Sequence, residues 1–392
     1  MRFSSRSFYR IKYIYLAALL MALHVAFTVY INSTYLSSAG FSPKTVGLLY
    51  TSGAILTVMC LIASTSIVRR VRNFNFFIGT LCIEIIALLG LFITNDPILI
   101  KIFFIIHQAT PPLLLFGLDL FLEGSLQSEK NTGGVHSLYL TAQNTAFVLS
   151  PFLVGKIVTF TTSYQIIYLL SAIFCTLLLI LAFDELRRIR TRKLHEVNFI
   201  DSVEKFLPHR NLNRVFLINF LLHAFYAGMV IYMPLYLHET IGFSWQTIGL
   251  IFTIMLLPFV LFEAPLGKIF DKVHLEREAI ITGFCIISVA TLLIFFTRGN
   301  NFYIWAALLF MSRMGASFVE IGIEYAFFKR VSDHDAGFIS IYRMAGPAAY
   351  IVAPLIASSL VRVLPIQYIF LVISIVVLMG IAFSYKLKTL KN

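Results

Sequence analysis

The chain has 392 residues, of which 59% are hydrophobic, 15% are aromatic and only 13% are charged, and its formal net charge is +12. Because soluble domains carry about 25% charged residues, this composition excludes a soluble globular protein and indicates an integral membrane protein. The basic excess does not indicate nucleic-acid binding, since the Lys and Arg residues lie in short groups near the ends of apolar runs.

Apolar runs of about 20 residues, the length that crosses a bilayer, recur along the whole chain. Each run predicts a transmembrane helix, and most of the links between them are short. The fold class is therefore predicted to be all-α, with twelve transmembrane helices. The runs are residues 13–31, 46–68, 74–94, 98–122, 138–158, 165–183, 215–237, 246–266, 279–297, 302–328, 338–361 and 366–385.

The distribution of basic residues predicts the orientation in the bilayer. The two tails and the even-numbered links hold most of the Lys and Arg, whereas the odd-numbered links hold only Lys44, Lys101, Lys156, Arg298 and Arg362. Loops rich in Lys and Arg stay on the cytoplasmic side. Both termini are therefore expected in the cytoplasm, and the protein is expected in the plasma or inner membrane.

One long polar linker, residues 184–214, divides the chain almost in half. It separates a predicted six-helix bundle, residues 1–183, from a second one, residues 215–392. Within the linker, residues 198–208 are predicted to form an amphipathic helix at the cytoplasmic surface. A solvated tether and a regulatory segment both remain open as roles for the linker.

Motifs for cofactors and for enzyme chemistry are missing from the sequence. It has no Gly-rich phosphate loop, no GxSxG and no HExxH. Its four cysteines lie inside apolar runs without paired spacing, and no His–His or His–carboxylate spacing suggests a metal. We therefore expect neither an enzyme nor a cofactor or metal site.

The two halves repeat each other. GlyPheSerProLysThrValGlyLeuLeuTyr, which begins at Gly40, is matched 202 residues later by GlyPheSerTrpGlnThrIleGlyLeuIlePhe, which begins at Gly242. Asp119 is matched by Glu324 at a spacing of 205. The first apolar run follows basic residues, as a signal peptide does, but its match in the second half predicts that it belongs to the mature fold.

Two parallel six-helix halves with a central cytoplasmic linker resemble the major facilitator superfamily. The segment GlyLysIlePheAspLys, which begins at Gly267, is similar to the family's Gly-x-x-x-Asp-Arg/Lys loop between the eighth and ninth helices. The equivalent first-half segment, residues 64–73, keeps the basic residues but lacks the Gly and the Asp. The resemblance implies a transporter that works in the lipid bilayer by alternating access on a small-molecule substrate, and we expect a monomer.

A cytoplasmic gate is predicted around this loop. Gly267 is expected to turn the chain off a helix end, Asp271 to face a helix N-terminus, and Lys272 to meet an acid. In similar transporters such clusters hold one face closed, and a static salt-bridge network is the alternative. The other predicted members are Glu324 and Arg343 in the second half, and Asp119, Glu123 and Arg69 in the first.

The predicted substrate and proton pathway consists of polar residues inside the apolar runs. Arg313 offers a planar fork for a carboxylate or phosphate, either as a substrate anchor or as a counter-ion for an acid. Glu320, one turn from the like charge of Glu324, is a plausible proton carrier. The remaining members are His24, Glu84, His107, Gln108, Gln143, Asn144, Asn219 and His223.

For Glu84 a coupling role and a structural hydrogen bond remain equally open, and each histidine is either a packing residue or part of the pathway. The function predicted from the sequence is secondary active transport of a small solute, with protons as the coupling ion. Two alternatives remain open. One is an uncoupled facilitator for a sugar-like or other polar solute, and the other is a transporter-like sensor or scaffold without flux.

Overall fold

A computed structural model describes residues 5–125, 132–189, 199–273, 275–328, 330–331 and 336–387. Every regular element in these ranges is helical. In the first half the helices are α1 Ser5–Thr28, α2 Asn32–Ser38, α3 Pro43–Val71, α4 Asn73–Ile93, α5 Pro97–Ser125, α6 Thr132–Thr161 and α7 Gln165–Asp184. In the second they are α8 Phe199–Phe206, α9 Arg210–Leu235, α10 Trp245–Val273, α11 Glu276–Phe296, α12 Phe302–Phe328, α13 Ala336–Arg343, α14 Ala345–Leu360 and α15 Tyr368–Tyr385.

Eleven helical segments of the described chain are long and apolar enough to cross a membrane, and they correspond to eleven of the twelve predicted runs. The all-α membrane fold is thus confirmed. The run at residues 338–361 is not one continuous helix, because α13 ends at Arg343 and α14 begins at Ala345. Pro347 explains the break. It has no N–H for the Arg343 carbonyl four residues earlier, and its ring would collide with that carbonyl.

The chain forms two compact units. The first comprises Met1–Ala39 and Ser52–His195, and the second comprises Gly40–Thr51 and Glu196–Asn392. The boundary after His195 falls inside the predicted linker. The sequence did not predict that Gly40–Thr51, which includes the first turns of α3, packs as part of the second unit.

The sequence repeat is visible as two matching helix starts. Gly40 and Gly242 have φ angles of +87° and +83°, which glycine adopts without strain. Two residues later, the hydroxyls of Ser42 and Ser244 each accept a hydrogen bond at 3.3 Å from the backbone N–H of the Thr three residues on. These are N-caps, which satisfy a free N–H of the first helical turn. Matched residues therefore build the same local structure in both halves.

In the second unit, α11 and α12 cross at two small residues. A Cβ atom on Gly283 would lie 2.5 Å from the Gly315 carbonyl oxygen, and one on Gly315 would lie 2.6 Å from the Gly283 carbonyl oxygen. The two backbones therefore touch directly, as they do in many membrane helix pairs. This contact fixes the position of α12, which carries Arg313 and Glu320.

The predicted amphipathic helix of the linker is confirmed as α8, which packs against α13. The Phe206 ring of α8 meets the Phe338 ring of α13 edge to face, with their centroids 5.4 Å apart. His209, just after α8, contacts the same Phe338 ring. The end of the linker is thus joined to the second unit by aromatic packing.

Candidate functional site

Three titratable side chains meet in the interior of the first unit. His24 on α1 and His107 on α5 both approach Glu84 on α4, and their exposed fractions are 0%, 2% and 0% respectively. His24 Nε2 lies 3.0 Å from Glu84 Oε1, and His107 Nδ1 lies 2.6 Å from the same oxygen. We call these residues the His–Glu–His cluster. The sequence suggested each of them singly, but no spacing in it indicated that they meet.

The neighbours of His24 assign its tautomer. Ser171 donates its hydroxyl hydrogen to the His24 carbonyl oxygen at 2.7 Å. The same Ser171 oxygen lies 3.0 Å from His24 Nδ1, so it must accept that nitrogen's hydrogen. A neutral His24 therefore directs the lone pair of Nε2 towards Glu84. His24 Nε2 is also a buried atom without a hydrogen bond, although Glu84 Oε1 lies 3.0 Å away.

The neighbours of His107 place its hydrogen on the ring nitrogen that faces Glu84, unlike those of His24. Tyr168 donates to Asn32 Oδ1 at 2.8 Å, so the Asn32 amide nitrogen is the group that lies 3.5 Å from His107 Nε2. That nitrogen donates, which leaves the His107 hydrogen on Nδ1 to be donated to Glu84. Thr110 donates to the other oxygen of Glu84. The carboxylate thus has two donors, and the lone pair of His24 faces it as a third group.

One proton between His24 and Glu84 would remove the repulsion between their two acceptor atoms. Two acceptors 3.0 Å apart repel each other unless a hydrogen lies between them, so the gap between His24 Nε2 and Glu84 Oε1 is suited to a single proton. The three ligand atoms also lie within 4.8 Å of one another, a distance at which they could hold a metal ion. Because His107 presents an N–H and not a lone pair, the hydrogen-bonded form fits a proton better than a metal.

A second polar group occupies the second unit. Arg313 on α12 is 2% exposed, and its guanidinium carbon lies 5.1 Å from the Phe225 ring centroid and 5.0 Å from the Tyr226 centroid. Tyr226 donates its hydroxyl to Glu320 at 2.6 Å. We call Arg313, Phe225 and Tyr226 the arginine–aromatic site. The sequence indicated Arg313 and Glu320, and the structure connects them through Tyr226.

The two other predicted residues of α9 are held by the backbone. His223 donates from Nδ1 to the carbonyl oxygen of Asn219 at 3.0 Å, and its ring lies edge-on to Tyr226 with centroids 5.7 Å apart. Asn219 donates its amide to the Tyr342 carbonyl at 3.3 Å, beside the break between α13 and α14. His223 therefore borders the arginine–aromatic site, whereas Asn219 satisfies a backbone carbonyl beside the break between α13 and α14.

Three predicted pathway residues lie on α5 and α6 of the first unit. A Cβ atom on Gly53 would lie 2.5 Å from Gln108 Cβ, so Gln108 packs closely against α3. Gln143 and Asn144 on α6 are partly exposed. The described contacts thus form two groups within the predicted pathway.

The structure differs from the predicted gate at Gly267. Gly267 was expected to end a helix, but α10 continues through it to Val273, so that expectation is wrong. A single glycine does not stop a helix that has no other terminating signal before Val273. The side chains of Asp271, Lys272 and Glu123 lie outside the described residues.

The remaining gate residues have these surroundings. Asp119 accepts a hydrogen bond from Tyr139 at 3.3 Å, and Arg69 donates to Ser66 at 3.5 Å. Glu324 is exposed, and so is Arg343 at the end of α13. Among the described residues, Arg343 forms no ion pair. The gate therefore remains a prediction.

Sequence reasoning missed a buried ion pair. Glu276 at the start of α11 is fully buried, and its carboxylate lies 3.8 Å from Arg330. Burial lowers the pKa of Arg330, and the Glu276 carboxylate acts in the opposite direction. The signal available in the sequence was an acid in the first turn of a helix, where the helix dipole stabilises negative charge.

Comparison with known proteins identifies the family. A family model described as Major Facilitator Superfamily matches residues 14–252 and 215–391, which together span nearly the whole chain. The chain belongs to the major facilitator superfamily. It is therefore a multi-pass membrane transporter and not an enzyme, as the sequence predicted. A search of curated proteins gave no match.

Solved structures of superfamily transporters share the fold. A mutant of the nucleoside transporter NupG aligns with a TM-score of 0.79 and 14% identity, over 96% of this chain and 100% of that one. NupG itself aligns with a TM-score of 0.76 and 13% identity, over 96% and 99%. The human organic anion transporter MFSD10 aligns with a TM-score of 0.69 and 15% identity, over 98% and 100%. At these identities the likeness establishes the fold of the superfamily member and not its substrate.

Proposed function

We propose that this superfamily member is a secondary active transporter that couples the movement of a small polar solute to protons by alternating access. The observation that carries the proposal is the buried His–Glu–His cluster, which has a position for one proton between His24 and Glu84. A buried titratable group inside a membrane helix bundle is typical of proton relays in transporters.

The net charge of the His–Glu–His cluster depends on this proton. Without it, the cluster carries the uncompensated negative charge of Glu84 in a place that water does not reach. With it, an imidazolium faces a carboxylate, and the cluster is neutral overall. Burying an unpaired charge is expensive, so a conformation that closes the cluster off from water favours the protonated form. Proton binding and conformation would thereby be linked.

The remaining details of the proposal come from the sequence. We infer cytoplasmic termini and residence in the plasma or inner membrane from the distribution of basic residues. We also infer that the protein works as a monomer. Glu320 is the alternative proton carrier, since it too is a carboxyl group inside a membrane helix, and its only described hydrogen bond comes from Tyr226.

Proton binding can be tested directly, without knowledge of the solute. Purified protein in detergent would be titrated with acid in the presence of an indicator dye, and the protons bound per molecule compared with those of Glu84→Gln. The glutamine keeps the shape of the side chain and can accept from His107, but it cannot carry the charge. Glu320→Gln, the same change at the alternative carrier, distinguishes the two candidate proton sites. We expect Glu84→Gln to bind one proton fewer than the wild type below neutral pH.

Coupling can then be tested in proteoliposomes. Uptake of uridine, glucose and glucuronate would be measured with and without an imposed pH gradient. We expect at least one solute to be driven by the gradient in the wild type, and we expect Glu84→Gln to exchange that solute without responding to the gradient. An equal response of Glu84→Gln and the wild type would contradict the assignment. Loss of the response only in Glu320→Gln would transfer the proton site to Glu320, and no response in any protein would favour an uncoupled facilitator.

A further inference from the structure

We propose that the arginine–aromatic site binds an oxyanion, so that the solute carries a carboxylate or phosphate group. This inference rests on the proposed function, because it treats the bound oxyanion as part of the transported solute. It concerns the second unit alone and is independent of the proton site in the first unit. The residues that carry it are Arg313, Phe225 and Tyr226.

The first argument is that the charge of Arg313 is buried and unpaired. The side chain is 2% exposed, and its Nε is a buried donor without a hydrogen-bond acceptor. Among the described residues, no carboxylate lies within ion-pair distance of the guanidinium. Arginine stays charged at every physiological pH, so this site cannot become neutral by losing a proton. A buried cation of this kind calls for a counter-charge.

The second argument is that the two rings orient the guanidinium without using its hydrogen-bond donors. Phe225 and Tyr226 each lie about 5 Å from its central carbon, within the range of a cation–π contact. Aromatic faces attract the cation but accept none of its five N–H groups in the way that an oxygen does. The donors at the edge therefore remain for a ligand, and their planar fork matches a carboxylate or phosphate.

The third argument concerns the acid nearby. Glu320 accepts the Tyr226 hydroxyl at 2.6 Å and so fixes the ring, and the ion pairs of the described residues do not join this carboxylate to Arg313. Tyr226 is in turn held against both the guanidinium and the His223 ring. The acid thus helps to position the aromatic wall, while the positive charge is left for an oxyanion from outside the chain.

Ligand binding to the purified protein provides the test. Thermal unfolding and calorimetric titration would be measured with benzoate and with inorganic phosphate, at constant ionic strength, and benzamide would serve as the neutral match for benzoate. We expect at least one of the two anions to raise the Tm of the wild type, whereas benzamide does not. In Arg313→Gln we expect the affinity for that anion to fall by about 30-fold or more.

Arg298→Gln is the matched control. Arg298 also lies over a phenylalanine ring, at 5.6 Å from the Phe295 centroid, but its side chain is exposed. We expect this variant to bind the anion as the wild type does. If Arg313→Gln fails to fold, Arg313→Lys keeps the charge but loses the planar fork, and weaker anion binding is then the expected result.

The outcomes separate this inference from the proton site. Anion binding that is unchanged in Arg313→Gln, or in Arg313→Lys where that variant is used, would overturn the proposal. So would a wild type that neither anion stabilises. Because the measurement involves no pH gradient, it can fail while Glu84→Gln still abolishes proton coupling, and the reverse can also occur. The failure of each proposal can therefore be recognised by itself.

Discussion

Replacing Gly315 by alanine should destabilise the second unit, because the new methyl group would meet backbone. Its Cβ would lie 2.6 Å from the Gly283 carbonyl oxygen, whereas ordinary contacts begin at 3.4 Å. The two helices would have to separate by about 0.8 Å, and a backbone oxygen cannot rotate away as a side chain can. Overpacking of this kind costs about 1–3 kcal/mol, and the better helix propensity of alanine returns about 0.5–1 kcal/mol.

The expected net loss of unfolding free energy is therefore about 0–2.5 kcal/mol, and its midpoint of about 1 kcal/mol corresponds to a Tm lower by about 2–4 °C for a unit of this size. The Tm would be measured by following the unfolding of purified protein in detergent. Gly79→Ala is the matched control, since this glycine is also inside a helix but has no atom within 4 Å of its Cβ position. If Gly315→Ala were as stable as Gly79→Ala, α11 and α12 could not cross as closely as described.

Three further predictions concern stability and use the same Tm measurement. Arg330→Ala should lower the free energy of unfolding by about 2 kcal/mol because it leaves a buried carboxylate without its cation. Arg277→Ala, from a partly exposed pair, should lower it by less than about 1 kcal/mol, and equal losses would show that burial does not matter here. Gly40→Ala and Gly242→Ala should each lower the free energy of unfolding by about 1–2 kcal/mol, because alanine is strained at their positive φ angles. A loss of stability at only one of them would contradict the structural repeat. Thr162→Gly should stabilise the protein by about 1 kcal/mol, because a β-branched residue is strained at φ +53°, and a lower Tm would refute that strain.

Much of the fold could be predicted because the relevant signals are local. Apolar length identified the membrane helices, and the repeat identified glycines and caps that later proved equivalent. Breaks within helices were harder to foresee. Pro347 interrupts the eleventh run, whereas Pro151 lies inside the continuous helix α6. A proline alone does not decide between these outcomes, because they depend on tertiary contacts such as the hydrogen bond from Asn219 to the Tyr342 carbonyl beside the break.

The sequence predicted which residues belong to the candidate sites, but it did not predict how these residues are arranged. Hydropathy identifies a polar side chain in an apolar run, but it does not give the rotation of each helix about its axis. His24, Glu84 and His107 come from three helices, so their meeting depends on three such rotations. Ser171 and Tyr168, which orient the histidines, are ordinary residues in sequence and become informative only through their hydrogen bonds.

The repeat relates the two proposed sites to equivalent positions in the two halves. At the spacing of 202 that relates Gly40 to Gly242, His24 corresponds to Tyr226, so each half carries a polar group at the same place on its first membrane helix. One half surrounds it with an acid and a second histidine, and the other with an acid, a histidine, an arginine and a phenylalanine. The proton and the oxyanion would bind to different units, and each can shift the conformation of the transporter only by binding one conformation more tightly than another. Both would have to favour the same conformation of the transporter, and their reciprocal effects on affinity would then be equal.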